Sequence, residues 1–400
     1  LLTVKNYGDR IQAHYLALAG VERAKALVYH DYITRRQAGI NHNGSLYNDS
    51  KDFEDVPYGR GHIRVVHQAP ENEGGGLVYG ISDEESRLNI NTAFAGELTN
   101  LDGLTPDIAT SILAWRSDVG QGANGGAEED YYQGLQPPYA PRHGPFQTVR
   151  ELLMVRGVTR GDLLGSDAGQ NNSLDSGDDS APAAEGGWSA LMTANSSEKN
   201  FDAFGKQRVN IQSADENALT GIDGITSDMA RAIVSYRRTN QFQSIAALLD
   251  VTSPAGNSAG KAQAANTSAG QKVIDQDLFM RIADSVSISD DEDVAGMINI
   301  NTAGPEVMQC LPGMDQYLAQ AVISYRQSNG FFDNIAGLLR VPGLTLDIFR
   351  QIAPLITARS ETFRILAEGR VTSSGTRQRV QAIVHIASHE IITLAYREDL

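Results

Sequence analysis

Leu88–Arg116 reads "LNINTAFAGELTNLDGLTPDIATSILAWR", and the chain repeats it twice. Val209–Arg237, "VNIQSADENALTGIDGITSDMARAIVSYR", and Ile298–Arg326, "ININTAGPEVMQCLPGMDQYLAQAVISYR", align with it without a gap. Each copy opens on a polar pair (Asn91-Thr92, Gln212-Ser213, Asn301-Thr302) suited to capping the helix that begins just after it. Pro305 fits the first turn of the third copy. A turn centred on Gly103, Gly224 or Gly313 follows, then a second helix closing in Trp115-Arg116, Tyr236-Arg237 or Tyr325-Arg326. The unit is a helix-hairpin-helix. The first and third copies continue into a second such unit with turns at Gly157 and Gly343; the middle copy begins the same extension and runs out into a Ser/Ala-rich loop.

Hairpins of this kind that grip DNA carry apolar-Gly-apolar-Gly, so that bare backbone N–H groups meet a phosphate at a helix N-terminus, with Lys or Arg nearby. Here the second Gly is replaced by Thr105, Thr226 and Asp315, and Asp107 and Asp228 stand where a cation would help. A carboxylate there competes with phosphate for the same N–H groups. The 33 basic and 49 acidic residues give a formal charge of −16, a field that repels polyanions. A DNA-binding receptor of competence type is the alternative reading, and this chemistry argues against it. The expected partners include no nucleic acid.

At 400 residues the chain exceeds a single core. Cys310 is the one cysteine, which excludes an intrachain disulfide and reads as a buried small hydrophobe. No apolar run approaches the roughly 20 residues of a membrane helix, and the Leu1-Leu2 start without Met implies a chain processed upstream. No H-E-x-x-H, G-x-S-x-G or P-loop pattern occurs, and the reading is not an enzyme.

Outside the repeats, "DRIQAHYLALAGVERAKALVYHDY" (9–32) places Ala13, Leu16, Ala17, Gly20, Val21 and Ala24 on one helical face. This small-residue stripe is expected to pack against partner subunits, or equally against the chain's own sheet. "HIRVVHQ" and "GLVYGISDE" read as a hairpin, and "TFRILAEGRV", "RQRVQAIVHIAS" and "EIITLAYRE" as an antiparallel meander. Strands on both sides of a helical block imply that the block is inserted into one sheet-bearing domain. The expected organisation is a helix and loop at 1–60, a hairpin at 61–87, an inserted α domain at 88–358 and terminal strands at 359–400. Its repeats lie at 88–165, 206–257 and 298–358, with mobile Gly/Ser-rich loops at 166–205 and 253–272. Asp118, Glu128, Glu129 and Asp130 surround a Gly-rich loop, hard oxygen ligands of the kind Ca²⁺ takes.

Four stretches, "AHYLALAGVERAKAL", "SDEESRLNINTA", "ILAWRSD" and "GAEEDYYQGLQPPYAPRHGPFQTVRELLMVRGVT", together resemble the K-type minor pseudopilins of bacterial type II secretion systems (GspK). The resemblance implies an α+β, pilin-like fold: an N-terminal helix packed on an antiparallel sheet, with a large all-α domain of helix-hairpin-helix repeats inserted. It also implies the periplasmic part of an inner-membrane-anchored protein, at the tip of the pseudopilus. The partners implied are the I- and J-type minor pseudopilins and the major pseudopilin, with membrane contact only through an apolar helix absent from this sequence. Calcium is implied as the cofactor, the nearest match being Asp118, Glu128, Glu129 and Asp130. A third helix-hairpin-helix copy and two long loops depart from the pattern.

Overall fold

The computed structural model describes residues 2–68, 76–117, 125–165, 187–253, 271–387 and 390–398. Helix α1 spans Leu2–Ala38, longer at both ends than its stripe marks. It carries Arg35 and Arg36 in its last turn, where cations complement the helix dipole, and stops at Gly39 with φ of 67°.

Seven strands form one antiparallel sheet: β1 (Val56–Tyr58), β2 (Gly61–Gln68), β3 (Leu77–Tyr79), β4 (Ser82–Asp83), β5 (Thr362–Val371), β6 (Arg377–Ile386) and β7 (Ile391–Arg397). Their order is β1-β2-β5-β6-β7, with β3 on β2 and β4 on β5. The central strand comes from the far end of the chain and pairs with β2 from Leu366↔Val66 to Val371↔Gly61. Everything between β4 and β5 is therefore an insertion into one sheet. Alternate residues of β5 and β6 (Phe363, Ile365, Ala367, Val380, Ala382, Val384) face Ala17, Val21, Ala24 and Val28 of α1 to make the sheet's core.

The inserted block holds a second, larger core. Each repeat opens and closes on a two-residue parallel pair: Leu88–Asn89 with Met192–Thr193, Val209–Asn210 with Val286–Ser287, and Ile298–Asn299 with Ile356–Thr357. Two features differ from the sequence reading. The middle copy does complete its second hairpin, through helix Gln276–Ile282 capped by Asp275. Within the stretch read as a mobile loop at 166–205, residues 187–205 are ordered, with helix Gly187–Leu191 and strand Ser197–Lys199, which pairs with Asp293–Ala295. Trp188 and Met192 explain the difference: two large apolar side chains in a polar stretch bury into the repeat core. Residues 166–186 of that stretch, and 254–270 of the loop read at 253–272, lie outside the described residues.

The polar pairs do not cap the first helices, whose N-caps are Phe94, Asp215 and Gly304. They act as clasps. Asn301 Oδ1 accepts the Phe332 N–H at 2.7 Å, and its Nδ2 donates to the carbonyls of Phe332 (2.9 Å) and Ala358 (2.7 Å). Asn91 clasps Phe146 and Ala194 in the same way, and Gln212 clasps Phe242. The arginine ending each second helix closes the same corner, Arg326 donating to the carbonyls of Ile300 (2.9 Å) and Ala303 (3.0 Å). Arg116 and Arg237 repeat the pattern.

Candidate functional site

Ala13, Leu16, Ala17, Gly20, Val21 and Ala24, one of whose two readings was a partner interface, are all buried against the chain's own sheet. The reason is the distance of approach. A Cβ built on Gly20 would lie 2.5 Å from Ile63 Cγ2 and 3.0 Å from Ala367 Cβ. One built on Gly369 of β5 would lie 2.2 Å from the Ala13 carbonyl oxygen and 2.5 Å from Ala17 N. Small residues on α1 meet a glycine in the strand, so helix and sheet touch backbone to backbone. That face is unavailable to another subunit.

The opposite face is free. Val4, Tyr7, Ile11 and Tyr15 recur every three or four residues along one side of α1, and Val4, Tyr7 and Tyr15 are each about two-thirds exposed or more. Between Val4 and Gln12 no residue of the helix is fully buried. Sequence reading missed this stripe because it followed the small residues. The missed signal was a second period of large apolar residues, Val4, Tyr7, Ile11 and Tyr15, roughly 155° around the helix from the first.

At the start of the second helices one N–H is taken by a threonine rather than the expected acid in the first two copies, and by the expected Asp315 in the third. The second helices are capped by Thr105 Oγ1 on Ile108 N (3.3 Å), Thr226 Oγ1 on Met229 N (3.3 Å) and Asp315 Oδ1 on Leu318 N (2.8 Å). The residue replacing the second glycine thus serves as the N-cap of each second helix and accepts one of its N–H groups. Asp228 pairs instead with Arg231.

Of the proposed calcium ligands, Asp118 lies outside the described residues, and Glu128, Glu129 and Asp130 fall on helix Gly125–Gln133. Glu129 and Asp130 are exposed, and Glu129 Oε1 lies 3.4 Å from His143 Nε2. Neighbours in sequence on a helix point apart, so Glu129 and Asp130 do not converge on one ion unaided. Among the described residues no group of three or more His, Cys, Asp or Glu is placed to hold a metal. Cys310 is buried, its thiol pushed up to about 12 by desolvation.

Sequence reading also missed a lock between sheet and helical block. Asp83, Glu84 and Glu85 are consecutive and buried. Asp83 Oδ2 accepts from Asn299 Nδ2 (2.9 Å) and from the hydroxyls of Thr302 and Ser360, and Oδ1 accepts from the Glu85 N–H (2.8 Å). Glu84 binds Arg364 (2.6 Å) and Arg87; these guanidiniums overcome the burial and hold its carboxyl below the usual range. Glu85 accepts backbone N–H groups of Ser197 (3.2 Å) and Thr362 (3.3 Å). Burial, and then neighbouring Asp83, push Glu85 well above the usual carboxylate range.

The raised Glu85 value fixes a sign. A carboxyl whose folded pKa exceeds its unfolded one contributes stability that is complete below the unfolded value of about 4.3 and is lost as pH rises through the folded value. Glu85→Gln is therefore expected to flatten the fall in stability above about pH 5, measured as urea midpoints across a pH series. A variant that keeps the wild-type slope would place the titrating group elsewhere.

Three comparisons bear on kinship. Residues 81–164 match the family model described as type II secretion system (T2SS), protein K, and residues 205–253 and 294–357 match the helix-hairpin-helix motif. ComE operon protein 1 of Bacillus subtilis is 34% identical over 73 residues, 18% of this chain and 36% of that protein. Transcriptional accessory protein Tex of Neisseria gonorrhoeae is 39% identical over 56 residues, 14% of this chain and 7% of that one. The chain thus spans about a third or less of these curated relatives' lengths. A chain of the GspK-GspI-GspJ complex from enterotoxigenic Escherichia coli superposes with a TM-score of 0.50 and 11% identity, covering 96% of both chains. Among the described residues no helix is long and apolar enough to cross a membrane. Residues 81–164 are thus similar to protein K of type II secretion systems, and the fold of the chain is similar from end to end to that of a chain in the GspK-GspI-GspJ complex.

Proposed function

We propose that the chain is a minor pseudopilin at the tip of the type II secretion pseudopilus, and that it helps to prime pseudopilus assembly for export across the outer membrane. The observation that carries this reading is the pairing of an outward apolar stripe on α1 with a broad inserted block. We read the stripe as a packing face for a neighbouring helix and the inserted block as a barrier to a further subunit above it. The role is structural rather than catalytic. The expected partners are I- and J-type minor pseudopilins, the kind of complex in which the structural relative was crystallised, and the major pseudopilin below. The expected place is the periplasm.

Tyr7→Ser with Ile11→Ser is expected to abolish co-purification with I- and J-type partners while leaving the urea midpoint nearly unchanged, because both side chains are exposed. Full retention of the partners by that variant removes the stripe from the interface. Calcium is part of the same proposal. Asp130, Glu129 and Glu128 would need Asp118 or another donor from the preceding loop to complete a shell of six to eight oxygens. A chelator is expected to lower the melting temperature of the wild type and not of Asp130→Ala. Identical melting with and without chelator would remove the ion.

A further inference from the structure

The sheet face turned away from α1 carries a grid of charge, one row of it paired across the strands and the next used by neither the fold nor the proposed interface. On this face β2, β5 and β6 bring their side chains into register as two rows. One row is Arg64–Glu368–Arg379 and the next is His62–Arg370–Arg377, each set by direct strand pairing. In the first row the Glu368 carboxylate lies 2.8 Å from Arg64 and 2.9 Å from Arg379, with Arg377 reaching in at 3.7 Å. In the second row no acid intervenes. Arg370 stands directly opposite Arg377, both are exposed, and among the described residues Arg370 forms no ion pair. Like charges directly opposite destabilise a strand pair, and this pairing sits in a chain whose formal charge is −16. Among the described residues of the two rows, one carboxylate stands against four guanidiniums, and the second row carries positive charge with no acid of its own.

We propose that this grid docks an extended acidic segment of a partner protein. Alternate residues of an extended peptide lie about 6.7 Å apart, the same spacing as the two rows, so Asp or Glu at alternate positions meets both rows at once. Guanidiniums held in rows suit carboxylates, which they bind in bidentate fashion. An anionic bilayer or a nucleic acid would meet the field of the whole acidic chain, whereas a single peptide strand meets the grid alone. The inference does not depend on the place of the chain in a pseudopilus.

The test is fluorescence anisotropy with the whole chain and a labelled alternating Glu-Ser decapeptide, at low and at physiological salt, with phosphatidylglycerol vesicles in parallel. The wild type is expected to bind the peptide in a salt-dependent way. The double variant Arg370→Ser, Arg377→Ser is expected to bind roughly tenfold more weakly. Its urea midpoint should be equal or higher, since repulsion is relieved while Glu368 keeps Arg64 and Arg379. Absence of peptide binding at low salt, or equal binding by the double variant, overturns the proposal. Vesicle binding without peptide binding overturns it in favour of a lipid surface.

Discussion

Gly369→Val is expected to cost about 3 kcal/mol or more, at or beyond the upper end of ordinary overpacking. The added carbons have nowhere to go. They meet the Ala13 carbonyl oxygen and the Ala17 nitrogen, backbone atoms that cannot rotate aside as a side-chain end could. Relief requires lifting α1 off β5, which opens the core formed by Ala17, Val21, Ala24 and Val28. Far-UV circular dichroism in urea would show an early loss of the sheet domain. A midpoint within error of wild type would mean that helix and strand are not in backbone contact. Gly20→Leu should destabilise by the same route but less, because its nearest neighbours are the Ile63 and Ala367 side chains.

Asn301→Leu is the second large effect. It removes the clasp on Phe332 and Ala358 and strands three buried backbone groups, each worth about 1–3 kcal/mol when left unpaired. A total of about 3 kcal/mol or more is expected. Gln212→Leu in the middle copy should cost about 1 kcal/mol, because the glutamine makes two long bonds, 3.2 and 3.4 Å, at a part-buried site. Amide exchange at Phe332 reads the local effect directly. Equal losses in the two variants would show that the residue is held by packing alone.

The insertion of a helical block into one sheet was legible because strand-like runs stood at both ends of the repeats, and repeated Gly turns marked each hairpin. The middle copy's second hairpin was not legible. Its last helix follows a Ser/Ala-rich stretch, and the eye stops at the change of composition before reaching Asp275, the cap that restarts it. The stripe on α1 was found, but its partner could not be read from one element. Only the glycine at position 369, far away in sequence, decides that the small residues face inward. The lock at Asp83, Glu84 and Glu85 was not legible because its cations, Arg87 aside, come from the other end of the chain. The clasping asparagines drew notice for their polarity but were assigned to helix ends, because an Asn before a helix reads as a cap unless the loop it grips is known.

The paired two-residue strands at the ends of each repeat bring entry and exit side by side. A repeat built this way leaves the path of the chain where it found it, so its neighbours need no adjustment for its presence. The number of copies can then vary independently of the sheet beneath, and the breadth of the head becomes a matter of counting modules rather than redesigning a fold.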